Sequence, residues 1–203
     1  EGDADRSDVK SVCGDYPAVM SFDIGHLELG KTASLDNIAF DKIRQEIIAQ
    51  HKRGGISSIS WHLDNPLTKG SSWDVSDSTV VASILPQGVH HELFLTWLDK
   101  VADFLSSVKM ENGVKVPILF RPWHEHTGSW FWWGKDLCTP EEYIALWRLT
   151  YDHLNKKEVD NILYAYSPGG DSNTQEEYLE RYPGDDIVDL LGFDCYQFEK
   201  EEF

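Results

Sequence analysis

Cysteine is scarce in this 203-residue chain: Cys13, Cys138 and Cys195 lie far apart and form no C-x-x-C pair. That spacing indicates neither a disulfide framework nor a zinc knuckle, and leaves one disulfide open. Positive charge is also short, with 18 basic against 35 acidic residues and a formal net charge of −17. Such a surface repels polyanions, which excludes nucleic acid and acidic membranes as general partners. No apolar run approaches the roughly 20 residues of a membrane span, and no charged and then apolar export signal opens the sequence. The reading is therefore a soluble chain without membrane contact. Repeats, low-complexity tracts and Gly/Ser linkers are absent, so residues 1–203 read as a single domain.

What is present is ordinary globular composition, with 41% apolar and 26% charged residues, and an unusual supply of eight tryptophans. Several of these stand in polar, glycine-containing stretches and read as binding surface more than core. Apolar runs at 18–22, 56–61, 116–120, 162–165 and 188–193 alternate with amphipathic segments at 40–53, 93–108, 143–154 and 178–182. This alternation predicts a parallel sheet covered by helices. Thr139-Pro140-Glu141-Glu142 supplies an N-cap, a first-turn proline and a capping-box glutamate, and Thr174 with Glu177 repeats the box. The turn after the first strand, Phe22-Asp23-Ile24-Gly25-His26, has no G-x-G-x-x-G and no Walker lysine, which favours a (β/α) barrel over a dinucleotide fold. Ser167-Pro168-Gly169-Gly170 could cradle a phosphate, but such a glycine pair is more often a turn.

Ionisable and polar residues fall at the ends of the predicted strands: Asp23 and His26, His62 and Asp64, His124 and Glu125, Ser167, then Asp194 and Tyr196. In a barrel those ends converge on one mouth. Glycoside cleavage needs a carboxyl group that is protonated near neutral pH, and apolar or aromatic surroundings achieve this by disfavouring the anion. Glu125 has four tryptophans within eight residues, and the same rings could serve as platforms for the C–H faces of sugars. The plainer alternative is an aromatic hinge packed into the core. Zinc is disfavoured, because Gly128 stands where H-E-x-x-H requires its second histidine, although His62, His124 and His126 could form a three-histidine site.

The segment Arg121-Pro122-Trp123-His124-Glu125-His126-Thr127-Gly128-Ser129-Trp130-Phe131-Trp132-Trp133-Gly134 resembles the R-P-x-H-E-x-x-G-x-W-F-W-W-G stretch of glycoside hydrolase family 26. The resemblance extends to SDVKSVCGDYPAV, SWHLDNP and GFDCYQ. It implies a (β/α)8 barrel, of which this chain covers about strands 2 to 6, and retaining cleavage of β-1,4-mannan without a metal or cofactor. It further implies Glu125 as general acid/base, with His62, His124, Trp130, Asp194 and Tyr196 in contact with substrate and Trp73 lining a neighbouring subsite. His126 stands where the family commonly has asparagine or methionine. The family's nucleophile is a glutamate at the end of the seventh strand, which is expected beyond Phe203. Glu199, Glu201 and Glu202 read as a solvated acidic run. The chain thus reads as part of a catalytic domain, secreted, periplasmic or cell-surface by resemblance. Open alternatives are a non-catalytic carbohydrate-binding barrel, or a member acting on β-1,3-xylan or mixed-linkage glucan.

Overall fold

The computed structural model describes residues 7–170 and 174–196. Glu199, Glu201 and Glu202 lie outside the described residues. Along the chain run α1 (Asp8–Cys13), β1 (Val19–Asp23), α2 (Phe40–Lys52), β2 (Ile56–Ser60), α3 (Val80–Ile84), α4 (His91–Ser107), β3 (Ile118–Arg121), α5 (Pro140–Lys156), β4 (Ile162–Tyr166), α6 (Gln175–Leu179) and β5 (Leu190–Leu191). The five strands are all parallel and stand in sequence order β1-β2-β3-β4-β5. A doubly wound sheet reverses its strand order at a switch point. An unbroken order with right-handed crossovers keeps every helix on one face, and that is the topology of a barrel. The described strands are a five-strand arc of the (β/α)8 architecture.

Parallel register makes the two faces explicit. Ser21, Ser58, Leu119 and Leu163 lie side by side on four successive strands and are exposed or half-buried. On the opposite face Ile59, Phe120 and Tyr164 are buried beneath the helices. The helical layer supplies Ile43 and Ile47 from α2, Phe94, Leu98, Val101 and Leu105 from α4, and Tyr143, Leu146, Trp147 and Leu154 from α5. Their three-to-four-residue spacing is the amphipathic stripe expected from the sequence.

Both capping boxes form, at Thr139 with Glu142 and at Thr174 with Glu177. The second starts its helix at Gln175 and ends it at Leu179, earlier than the 178–182 segment expected from apolar spacing, because the box fixes the first turn. The last strand is also shorter than the 188–193 run: only Leu190–Leu191 pairs with β4, followed by a single parallel bridge between Gly169 and Asp194. Cys13 and Cys195 are exposed, Cys138 is buried, and all three are free thiols.

Most of the tryptophans correct the expectation of a binding surface. Trp61, Trp123, Trp132, Trp133 and Trp147 are fully buried and Trp97 nearly so. Only Trp73, 60% exposed, and Trp130, 39% exposed, reach solvent. The Trp123 ring is packed by Trp61, Phe94, Trp132 and Trp133, with centroids 5.7 to 6.0 Å away. The aromatic-rich segment is thus chiefly a core plug beneath the strand ends.

Candidate active site

Register brings Asp23, Ser60 and Arg121 to adjacent positions at the C-terminal ends of β1, β2 and β3, on the face that carries Ser21 and Ser58. Continuing the two-residue period from Ser60 brings His62 to the mouth. The same period from Arg121 would bring Trp123 there, but Trp123 adopts a left-handed backbone, φ 56°, and turns its ring into the core. Its Nε1 donates to Thr150 Oγ1 at 3.2 Å, and its carbonyl accepts from Tyr143 Oη at 2.6 Å. Glu125 is also left-handed, φ 55°. A bulky residue at positive φ is strained, at a cost of order 1–3 kcal/mol, and persists only where its surroundings over-determine it. The ring cage around Trp123 holds the first. The second is fixed by Glu125 N–H donating to Ser167 O at 2.7 Å, which ties the turn to the end of β4.

The half-buried Glu125 side chain faces the mouth and accepts from Trp130 Nε1 at 2.9 Å. The Trp130 indole lies over Gly128, where an added Cβ would come within 2.2 Å of the ring, so only glycine admits this placement. Three of the four neighbouring tryptophans, Trp123, Trp132 and Trp133, are buried beneath the turn and form no wall around the carboxyl. Glu125 instead meets an indole N–H and the edge of a half-exposed ring.

Beside it, His124 and His62 meet Nε2 to Nε2 at 3.0 Å, and His62 Nδ1 lies 2.6 Å from Asp23 Oδ2. Both imidazoles stand edge-on to Phe131, which also carries Trp73 with ring centroids 4.8 Å apart. Burial, reinforced by the neighbouring Arg121 and His62, holds His124 well below the usual histidine range, so this ring is neutral. Asp194 is gripped by Arg121 Nη1 at 2.7 Å and by Ser167 Oγ. Tyr196 is 68% exposed.

His62 pairs with His124 and Glu125 with Trp130, and Phe131 joins the two pairs, edge-on to both imidazoles and to Trp130 at 6.4 Å, with Asp194 tied in through Arg121 and Ser167. Trp73 joins them through Phe131. The three-histidine metal site does not form: His62 and His124 bond directly to one another, and His126 is fully buried between Tyr143 and Tyr166 at 4.3 and 5.0 Å. Burial, aided by Arg181, lowers His126 to about 3. Nor does Ser167-Pro168-Gly169-Gly170 cradle an anion. Gly169 N–H donates to Thr127 Oγ1 at 2.8 Å, and a Cβ on Gly170 would stand 2.9 Å from Asp194 O. The sequence marks Asp23 only as one of the strand-end residues at the mouth, and it assigns no role to Arg121 or Phe131. Asp23 and Arg121 share a strand-end row with Ser60, which was the available signal; nothing local marked Phe131 as the hub.

A barrel mouth with a strand-end glutamate under an indole donor and two histidines at the same strand ends fits the (β/α)-barrel glycoside hydrolases. The chain belongs to glycoside hydrolase family 26: the family model described as Glycosyl hydrolase family 26 matches residues 2–202. The chain is 63% identical to a family 26 β-mannanase from Bacteroides ovatus, with a TM-score of 0.97 over 98% of this chain and 58% of that one. A Cellulomonas fimi endo-β-1,4-mannanase structure is 38% identical, TM-score 0.85, covering 94% and 44% of the two chains. A mannan endo-1,4-β-mannosidase of Bifidobacterium adolescentis is 40% identical over 200 residues, which is 95% of this chain and 20% of that protein. The chain thus spans between a fifth and three fifths of these relatives.

Proposed function

We propose that the protein containing this chain is a retaining endo-β-1,4-mannanase in which Glu125 is the general acid/base. The observation that carries this reading is the placement of Glu125 on the left-handed turn after β3, under the Trp130 indole and beside His124. Retaining cleavage takes two carboxyl groups about 5–5.5 Å apart, one donating a proton to the leaving oxygen and one attacking the anomeric carbon. Glu125 fills the first role and then, as base, activates the water that releases the glycosyl group. Asp23 and Asp194 are committed to His62 and to Arg121 with Ser167, so neither is offered as nucleophile. That role falls to a glutamate beyond Phe203. Trp130 and Trp73 are platforms for sugar rings, and His62, Asp194 and Tyr196 take hydroxyl groups; His124, expected from the sequence to contact substrate, is 1% exposed with its Nε2 bonded to His62, and it supports His62 from behind.

The substrate assignment to β-mannan or galactomannan draws support from the mannanase names of the relatives. Residues 1–203 belong to one catalytic domain of a protein that is secreted, periplasmic or cell-surface, as a polymeric substrate requires. Among the described residues no helix is long and apolar enough to cross a membrane. The test is product release by the full-length protein from β-1,4-mannan, β-1,3-xylan and mixed-linkage glucan. Mannan-selective release with retained anomeric configuration supports the reading. Inverted product, or preference for another glycan, overturns it.

A further inference from the structure

We propose that Asp23 is a positioning residue for this site, fixing the tautomer of His62 and, through His62, the orientation of His124 beside Glu125. The proposal rests on the reading of the site as glycan-cleaving.

Asp23 closes β1 in register with Ser60, the last residue of β2, and its side chain is only 10% exposed. Its two oxygens meet four donors. Oδ2 accepts from Ser60 Oγ at 2.8 Å and faces His62 Nδ1 at 2.6 Å, while Oδ1 accepts from Gly25 N–H at 2.7 Å and His62 N–H at 3.4 Å. An ionised carboxylate only accepts, so the His62 nitrogen that meets it carries the proton. Nδ1–H is thereby settled, and Nε2 is the nitrogen left to meet His124 Nε2 at 3.0 Å.

One chain of contacts thus crosses the ends of three adjacent strands, from Asp23 to His62 to His124, next to the carboxyl proposed as the acid. The backbone is shaped for it. An added Cβ on Gly25 would stand 2.5 Å from His62 O and 3.0 Å from Asp23 Oδ1, so the loop after β1 can close on this triad only with glycine there. Phe131, buried against both imidazoles, limits their tilt. A group held in this way by an oriented partner is what a reaction sensitive to placement requires.

Asp23→Asn tests the idea, because the amide can also donate to Nδ1 and so admits the wrong tautomer of His62. In the full-length protein, imidazole nitrogen NMR, assigned with His62→Gln, should show a protonated Nδ1 on His62 that is lost in Asp23→Asn. The same variant should lower kcat on β-mannan roughly 10- to 100-fold with a smaller change in KM and an altered pH–rate profile. In a His62→Gln background Asp23→Asn should add little, since its effect passes through that ring. A His62 Nδ1–H that survives the substitution, an unchanged kcat, or full additivity in the double variant would each overturn the proposal. If the wild-type protein cleaves no glycan, the proposed function fails while the NMR arm still decides the tautomer. Should Asp23→Asn not fold, Ser60→Ala removes one of the two donors to Oδ2 and repeats the measurements with a smaller expected loss.

Discussion

At the scale of single residues the site is built from side chains whose partners leave them little freedom. Trp130 shows how much one ring is asked to do: its Nε1 donates to Glu125, its face covers Gly128, and it remains 39% exposed for a ligand. Trp130→Ala should cost about 1–3 kcal/mol of oligosaccharide affinity if the ring is a sugar platform. Titration calorimetry on the full-length protein, read beside its melting temperature, separates this from a packing defect. Weakened binding with unchanged melting supports the platform, and a lowered melting temperature with unchanged affinity would make Trp130 a packing residue. His126 teaches the opposite lesson. It follows the proposed acid directly in sequence, yet lies wholly in the core with neither ring nitrogen hydrogen-bonded.

At the scale of elements, α5 connects helix chemistry to the site. Its Thr139 cap starts the helix, and one turn later Tyr143 donates to Trp123 O and accepts from Trp147 Nε1. Thr139→Ala should cost about 1 kcal/mol, seen as a melting temperature lower by about 2–4 °C with kcat unchanged, because the exposed cap exchanges its hydrogen bonds with Glu142 of its own first turn. A fall in kcat without loss of stability would show that α5 tunes the turn. These elements were legible in the sequence because their causes are local. Apolar periodicity marked β1 to β4 and the three long helices, and the S/T-x-x-E spacing marked both caps. Asp8–Cys13 and Val80–Ile84 were missed because one and a half turns are too short to show a period, although Ser7 and Gly14 do cap the first. The left-handed turns at Trp123 and Glu125 were illegible for a different reason. Neither residue type marks positive φ, and what enforces the conformation is tertiary: a ring cage and a hydrogen bond donated to the Ser167 carbonyl, 42 residues on. The same turn reversed the expected roles of three tryptophans, since local composition cannot tell a plug from a platform.

At the scale of the whole molecule, burial of neutral histidines sets an acid limit on stability. His126 titrates at about 3 in the folded protein against 6.5 in the unfolded chain, and His124 is displaced in the same direction. Below pH 6.5 the unfolded state takes up protons first. Each ring's contribution is therefore complete above about pH 6.5 and is lost as pH falls toward the folded value, at up to about 1.4 kcal/mol per pH unit. Buried Glu28 opposes this: burial raises it, so the folded state takes the proton first and gains stability as pH falls through its raised range. Chemical denaturation between pH 6.5 and 4 should show stability falling with pH, less steeply in His126→Met. An unchanged slope in that variant would mean that His126 is protonated or solvated in the folded state.

The proposed mechanism stands on Glu125 as the proton donor. Its most direct test is Glu125→Gln in the full-length protein, assayed on β-mannan and on an aryl mannoside whose leaving group needs no protonation. General acid catalysis is worth about 10²–10⁴-fold, so turnover of mannan should fall by that order while the glycosylation step on the activated substrate falls far less and glycan binding is retained. Equal losses on both substrates, or none on either, would contradict the assignment.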